Sequence, residues 1–136
     1  MKRKQYSMVI PSDLNKLQDV ESLAEKVADQ AGLSDENKDN LAIAVTEAVN
    51  NAIIHGNNSD KNKKVSIDFQ IAKNDIKVII KDEGNGFNPK NLNNPTTPEN
   101  LYKESGRGIF ILRTIMKKVD FDFSSKGTVI IMTMKI

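Results

Sequence analysis

The segment LAIAVTEAVNNAII, residues 41–54, constrains the fold most, because its apolar side chains cover almost the whole circumference of a helix. Ten of its fourteen residues are apolar, which predicts a buried helix. At about 100° per residue, Glu47, Asn50 and Asn51 form one narrow polar stripe on it. A carboxylate in such surroundings needs partners. The stripe is either a satisfied structural network or the lining of a cavity that holds a metal ion or ligand.

The composition indicates one globular domain of 136 residues, with 38% hydrophobic and 28% charged residues. Cysteine is absent, which excludes disulfides and thiol nucleophiles and fits a reducing cytoplasm. The single histidine, His55, excludes a paired-histidine metal site, so any metal is expected to be a hard, oxygen-ligated ion. No apolar run approaches the roughly 20 residues of a membrane span or resembles a signal peptide. We therefore expect a cytoplasmic protein with no membrane association.

Charge is unevenly distributed along the chain. Residues 1–60 hold 6 basic and 10 acidic side chains (6 − 10 = −4), and residues 61–136 hold 14 and 8 (14 − 8 = +6), giving +2 in all. The lysines of the second half are mostly scattered singly along strand patterns, and aromatic residues make up only 5%. A nucleic-acid surface usually combines a clustered basic patch with a recognisable binding motif. We therefore expect no direct nucleic-acid partner.

Hydrophobic periodicity predicts a two-layer α+β sandwich. The expected elements are a strand at 5–10, a helix from an N-cap at Ser12 to Gly32, a helix from about Ser34 to Gly56, a hairpin turning at Asn74 and Asp75, a helix at about 106–116, and strands near 119–124 and 128–135. We predict a mixed, mostly antiparallel sheet with three helices on one face, forming a single domain over 1–136.

A long segment, residues 84–105, separates the hairpin from the third helix. It contains three prolines and six asparagines. Loops longer than about 12 to 15 residues are uncommon in compact domains and are usually functional or disordered. This segment is therefore expected to be a lid or a disordered stretch.

The sequence DEGNG follows a strand whose alternation continues to Asp82, which places this carboxylate on the core side. Gly84 and Gly86 allow a ligand to approach the backbone closely, although the same sequence is also ordinary turn chemistry. Thr128 shares the phase of Ile130 and is expected to point inward as Asp82 does. The two side chains could hold the polar edge of a ligand together.

The sequence SGRGIFIL, residues 105–112, begins an apolar helix with Gly106 and Gly108. Free N–H groups and the positive end of the helix dipole would receive a phosphate there. The alternative is a flexible lid that simply ends in a helix.

Taken in order, the segments EAVNNAIIHGN, DEGNGF, a Pro/Asn-rich loop, SGRGIFIL and KGT resemble the GHKL, or Bergerat-fold, ATPases. They correspond to the N-box, the first glycine box, a lid at about 87–105, the second glycine box and the terminal threonine strand. Because this chain is short and contains EAVNNAIIHGN, it is similar to the anti-sigma factor serine kinases of bacterial partner-switching systems. The resemblance covers nearly the whole of this chain.

The resemblance implies a site for ATP and Mg²⁺. Glu47 would be the catalytic carboxylate, Asn51 would ligate the Mg²⁺ that bridges the phosphates, and Asp82 would accept from the adenine amine. The full set of nucleotide-contacting residues that it implies is Asn51, His55, Asp82, Gly84, Gly86, Phe87, Ser105, Gly106, Arg107, Gly108, Ile109 and Thr128.

Two positions leave alternatives open. Some family members carry an arginine just before the second glycine box, where this chain has Lys103, Glu104 and Ser105. The basic phosphate contact would then fall to Lys103 or Arg107, or be absent. His55 is either a packing or supporting residue, or an acid or base.

The implied function is an ATP-dependent protein serine kinase that phosphorylates an anti-anti-sigma factor and sequesters a sigma factor, acting as a homodimer. One alternative is a non-catalytic ATP-binding switch, in which nucleotide orders the lid to create a partner surface. Another is a detached histidine-kinase catalytic domain.

Overall fold

The computed structural model describes residues 4–84, 107–122 and 127–136. Its strands are β1 (Lys4–Pro11), β2 (Lys64–Ile71), β3 (Asp75–Lys81), β4 (Lys118–Asp122) and β5 (Val129–Lys135). Its α-helices are α1 (Leu17–Ala31), α2 (Asp35–Asn51) and α3 (Arg107–Ile115), with a 3-10 turn at Leu14–Lys16 and a π-helical turn at Ala52–Gly56.

The boundaries of α1 and α2 follow from local sequence. Gly32 ends α1 in the left-handed conformation, at φ 73°, which costs glycine least. Ser34 caps α2 by accepting a hydrogen bond from the Asn37 amide at 3.2 Å. The carboxylate of Asp29 lies 3.0 Å from Nζ of Lys38 and raises the pKa of that lysine above its ordinary value. This ion pair joins the last turns of α1 to the first turn of α2.

Ser12 is not the N-cap that the sequence predicted. The cap is Asp13, whose carboxylate accepts from the Asn15 amide at the start of the 3-10 turn. Ser12 is buried instead, and its hydroxyl donates to the carbonyl of Lys63 at 2.7 Å. Both residues have capping chemistry, so propensity alone could not separate them.

The second helix changes its winding before it ends. The α-helical part stops at Asn51, and Ala52–Gly56 continues as one π-helical turn. The predicted end at Gly56 is therefore confirmed, but the wider turn was not foreseen. Burial is also incomplete, because Ile43 is 48% exposed.

The five described strands form one sheet in the order β1-β2-β3-β5-β4, with all four pairings antiparallel. The expected mostly antiparallel α+β fold is thus confirmed, with antiparallel pairs throughout the described strands. Residues 123–126, between β4 and β5, lie outside the described residues.

The core lies between one face of this sheet and the helices. The inward-facing residues of the central strands are fully or almost fully buried: Val65, Ile67, Phe69, Ile71, Ile76, Val78, Ile80, Ile130, Met132 and Met134. They pack in one cluster with Val20, Ala24, Val27, Leu41, Val45, Val49 and Leu112 of the helices. None of the helices in the described ranges is long and apolar enough to cross a membrane.

The opposite face of the sheet carries a mixed surface. Ile79 and Ile131 are register partners at its centre and are only partly buried. Asp68 continues this row on one side and Asp120 on the other. The rows above and below add lysines, among them Lys77.

Candidate functional site

Asp82 is the centre of the candidate site. Its side chain is 1% exposed, which confirms the inward orientation predicted from strand alternation. Oδ1 accepts hydrogen bonds from the amides of Thr128 at 2.9 Å and Gly84 at 3.0 Å. Thr128, 4% exposed, also accepts through its carbonyl from the Asp82 amide at 3.0 Å. A buried carboxylate needs such donors, and two backbone N–H groups fix its orientation.

Three glycines close around this carboxylate. A Cβ at Gly56 would lie 2.0 Å from Oδ2 of Asp82, and one at Gly84 would lie 2.2 Å from the Gly56 carbonyl oxygen. Gly127 has φ 94°, and a Cβ there would lie 2.3 Å from the Asp82 carbonyl oxygen. Since real Cβ atoms do not approach this closely, side chains at these positions would displace Asp82 or its neighbours. The glycines are therefore part of the geometry that places the acid.

A buried amide, Asn57, joins the end of the π-helical turn to the sheet. Its Nδ2 donates to Oγ of Ser12 at 2.8 Å and to the carbonyl of Lys64 at 3.0 Å. Its Oδ1 accepts from the amide of Glu83 at 2.8 Å. The Glu83 carboxylate in turn accepts from the amide of Lys64. Asn57 thus connects the turn after α2, the end of β1, the start of β2 and the end of β3.

The polar stripe predicted on α2 is present. Glu47 and Asn50 are partly buried, and Asn51 is 1% exposed at the last residue of the helix. Residues four apart on a helix are neighbours on one face, so Glu47 and Asn51 lie side by side. Nδ2 of Asn51 is buried and has no hydrogen-bond partner among the described residues. Such a group costs about 1 to 3 kcal/mol if nothing satisfies it, so Asn51 is a candidate for contact with a ligand.

The donor chemistry of this stripe fits Mg²⁺. The two ends of an amide exchange on rotation by 180°, so the position without a partner can carry Oδ1, the atom that a hard cation takes. Mg²⁺ in phosphate-transfer sites is typically held by one or two protein oxygens together with substrate phosphates and water. Within the described ranges, no group of three His, Cys, Asp or Glu side chains could hold a metal ion.

The structure brings together Asp82, Gly84 and Thr128 and places Glu47 and Asn51 on neighbouring turns of α2. His55 is partly buried within the π-helical turn. Arg107, Gly108 and Ile109 form the first turn of α3, but only their backbone belongs to the description. Gly86, Phe87, Ser105 and Gly106, together with the lid expected at 87–105 and Lys103 in it, lie outside the described residues.

Sequence reasoning missed four contributors, which are Ser12, Gly56, Asn57 and Gly127. Gly56 was interpreted only as a helix stop, although a helix-ending glycine followed by Asn57 is also a place where the backbone can approach another segment closely. Gly127 stood in the KGT segment without a role of its own. A glycine directly before an inward-facing threonine was the available signal for it.

Comparison with known proteins agrees with this geometry. Residues 10–134 match the model of the family described as histidine kinase-like ATPase domain. The chain therefore belongs to the histidine kinase-like ATPase family, as the order of its motifs predicted.

Curated relatives of the chain include proteins named as serine-protein kinases and as anti-sigma factors. The chain is 34% identical to the serine-protein kinase RsbW of Bacillus subtilis (strain 168), over 76% of this chain and 68% of that protein. It is 36% identical to the anti-sigma F factor of Clostridium perfringens (strain SM101 / Type A), over 71% of each. The fold is similar to that of the mycobacterial sensor histidine kinase MprB, with a TM-score of 0.52 and 18% identity over 98% of this chain and 97% of the other. That last likeness concerns the fold alone.

Proposed function

We propose that the protein is an ATP-dependent protein serine kinase that phosphorylates an anti-anti-sigma factor and sequesters a sigma factor in the cytoplasm. Relatives named serine-protein kinase and anti-sigma F factor support this class of activity. The observation that carries the nucleotide part is the buried Asp82 carboxylate, held by two backbone N–H groups and enclosed by glycines.

Asp82 recognises the adenine base in this proposal. When it is ionised, a carboxylate only accepts hydrogen bonds, and the amides of Gly84 and Thr128 fix the position of Oδ1. The exocyclic amine of adenine is a donor, whereas guanine has a carbonyl oxygen at the same position. A fixed acceptor in a buried setting therefore favours ATP over GTP, because a mismatched polar group there would be desolvated without a partner.

Glu47 accepts the proton of the attacking serine hydroxyl in this proposal. The serine hydroxyl oxygen bonds to the γ-phosphorus of ATP while the bond from that phosphorus to the β–γ bridging oxygen breaks, and ADP leaves. The hydroxyl proton passes to the carboxylate of Glu47. General-base assistance of this kind contributes about 10² to 10⁴ in rate, and most of the remaining catalysis is positioning and charge stabilisation.

Asn51 is the residue that would hold Mg²⁺ beside the phosphates, next to Glu47 on the same helix face. When bound, the ion neutralises charge that develops on the phosphate oxygens. Asn51 itself orients the phosphate end of the nucleotide, while Asp82 fixes the base. The phosphate groups are further received by the backbone N–H groups of the first turn of α3, from Arg107 onward.

A homodimer is proposed through the face of the sheet that lies opposite the helices. Ile79 and Ile131 form its apolar centre, and Asp68, Asp120 and Lys77 lie around them. A two-fold interface apposes one patch with its own copy, so a face that carries both acids and lysines around an apolar centre can be complementary to itself. The sigma factor and the anti-anti-sigma factor would bind this dimer.

The decisive experiment incubates the protein with γ-labelled ATP, Mg²⁺ and a candidate anti-anti-sigma domain that carries a phosphorylatable serine. Label recovered on that serine supports the kinase. ATP binding with no transfer to a serine would replace the kinase by the nucleotide-binding switch, and label on a histidine would point to a histidine kinase.

A further inference from the structure

Asn57 is a fully hydrogen-bonded polar side chain at the site, although neither the motifs nor the proposed reaction gives it a role. Its side chain is 0% exposed, and three hydrogen bonds of 2.8 to 3.0 Å use both of its polar atoms. Such a network costs stability if any member is left unpaired, so the position demands an amide with its oxygen and nitrogen in this orientation.

The bond to Glu83 is the one that reaches the site. Oδ1 of Asn57 accepts from the Glu83 amide, which belongs to the peptide group that joins Asp82 to Glu83. The Asp82 carboxylate is therefore fixed from two directions. The amides of Gly84 and Thr128 hold Oδ1 of its side chain. Asn57 holds the peptide group that follows the Cα of Asp82.

The other bonds of Asn57 supply its anchor. Ser12 accepts from Nδ2 and donates onward to the carbonyl of Lys63, and Lys64 accepts from Nδ2 through its carbonyl. These partners belong to the end of β1 and the start of β2, in the frame of the sheet. The side chain of Asn57 thus joins the turn that contains Asp82 to the end of β1 and the start of β2.

We propose that Asn57 is a positioning residue for base recognition, which acts through the Glu83 amide to set where the Asp82 carboxylate stands. This rests on the proposed role of Asp82 toward adenine. Removal of the Asn57 acceptor releases the Asp82–Glu83 peptide, and the carboxylate then meets the base less consistently. The expected result is a loss of selectivity between ATP and GTP. This selectivity depends on the position of the Asp82 acceptor, whereas a loss of stability alone would leave it unchanged.

The test measures the dissociation constants of ATP and GTP by calorimetry, and thermal unfolding, for wild type, Asn57→Ala and Ser34→Ala. Ser34→Ala is the control for stability, because it removes the cap bond to Asn37 at the other end of α2 and no bond of Asn57. We expect Asn57→Ala to reduce the ratio of GTP to ATP dissociation constants about threefold to tenfold, the effect of one lost hydrogen bond. Ser34→Ala should lower the melting temperature and leave that ratio unchanged.

An unchanged ratio in a folded Asn57→Ala protein would overturn the proposal and make Asn57 a purely structural residue. A ratio that falls equally in Ser34→Ala would overturn it too. If Asn57→Ala does not fold, Asn57→Ser decides, because its shorter side chain cannot reach Glu83 yet keeps a polar group in the network. Failure of the proposed function itself looks different, since wild type would then bind no ATP or show no preference that Asp82→Asn abolishes.

Discussion

The amide of Thr128 donates a 2.9 Å hydrogen bond to Oδ1 of Asp82, across 46 residues of sequence. The bond forms where β5 begins beside the end of β3, and the Asp82 amide donates back to the Thr128 carbonyl at 3.0 Å. Pairing of these two strands therefore builds the acceptor that the proposed function assigns to adenine.

Asp82→Asn is expected to weaken ATP binding by about 1 to 3 kcal/mol, because part of a buried acceptor becomes a donor. The preference for ATP over GTP should shrink at the same time. Calorimetric titration with both nucleotides checks this result, with Asp75→Asn at the far end of β3 as the control. Equal ATP affinities of wild type and Asp82→Asn would remove Asp82 from the site.

A comparison of Gly127→Ala with Gly32→Ala separates the effect of backbone strain from the effect of displacing Asp82. Gly32 and Gly127 both have positive φ, 73° and 94°, but a Cβ at Gly32 meets nothing within 4 Å, whereas one at Gly127 meets the Asp82 carbonyl oxygen. Gly32→Ala should cost about 1 to 2 kcal/mol of unfolding free energy and leave ATP affinity unchanged. Gly127→Ala should cost more and weaken ATP binding. Equal effects of the two substitutions on both readouts would show that the contact with Asp82 is unimportant.

Much of this arrangement was predictable from local pattern. Alternation along β3 was sufficient to turn Asp82 inward, because a strand has a period of two residues. The same reasoning correctly predicted that Thr128 is buried. The end of α1 followed from Gly32 and the start of α2 followed from Ser34.

The remaining features depend on contacts between distant segments, which no local pattern reports. Ser12 was misassigned as a cap, because its true partner, Lys63, lies 51 residues away. The role of Asn57 depends on β1, β2 and the end of β3 meeting at one point. Glycine is required at position 56 because the π-helical turn brings its backbone against the Asp82 carboxylate.

Asn51→Ala should damage Mg²⁺-dependent nucleotide binding, because the proposed metal ligand is lost. The stimulation of ATP affinity by Mg²⁺ is expected to fall at least about tenfold, the effect of losing one contact to a charged group. ATP titrations with Mg²⁺ and with EDTA measure this difference. Asn50→Ala, on the same stripe, is the control. A Mg²⁺ dependence identical to that of wild type would exclude Asn51 as the ligand.

Ile131→Glu should dissociate the proposed homodimer, since it places a charge beside Ile79 at the centre of the outer face. Sedimentation equilibrium of wild type and variant gives the mass directly. Leu14→Glu, at a side chain that is 47% exposed in the 3-10 turn before α1, is the control and should remain dimeric. A monomeric wild type, or a variant that stays dimeric, would contradict the interface.

In the proposed function, Glu47 acts on the proton of a partner serine while other residues bind the nucleotide. The most direct measurement is the rate of phosphate transfer from ATP to the serine of an anti-anti-sigma domain, for wild type and Glu47→Gln, with ATP affinity determined in parallel. We predict that the rate falls at least about 10²-fold while the ATP dissociation constant changes little, because glutamine keeps the shape of the side chain. A Glu47→Gln protein that transfers phosphate at the wild-type rate would contradict the account.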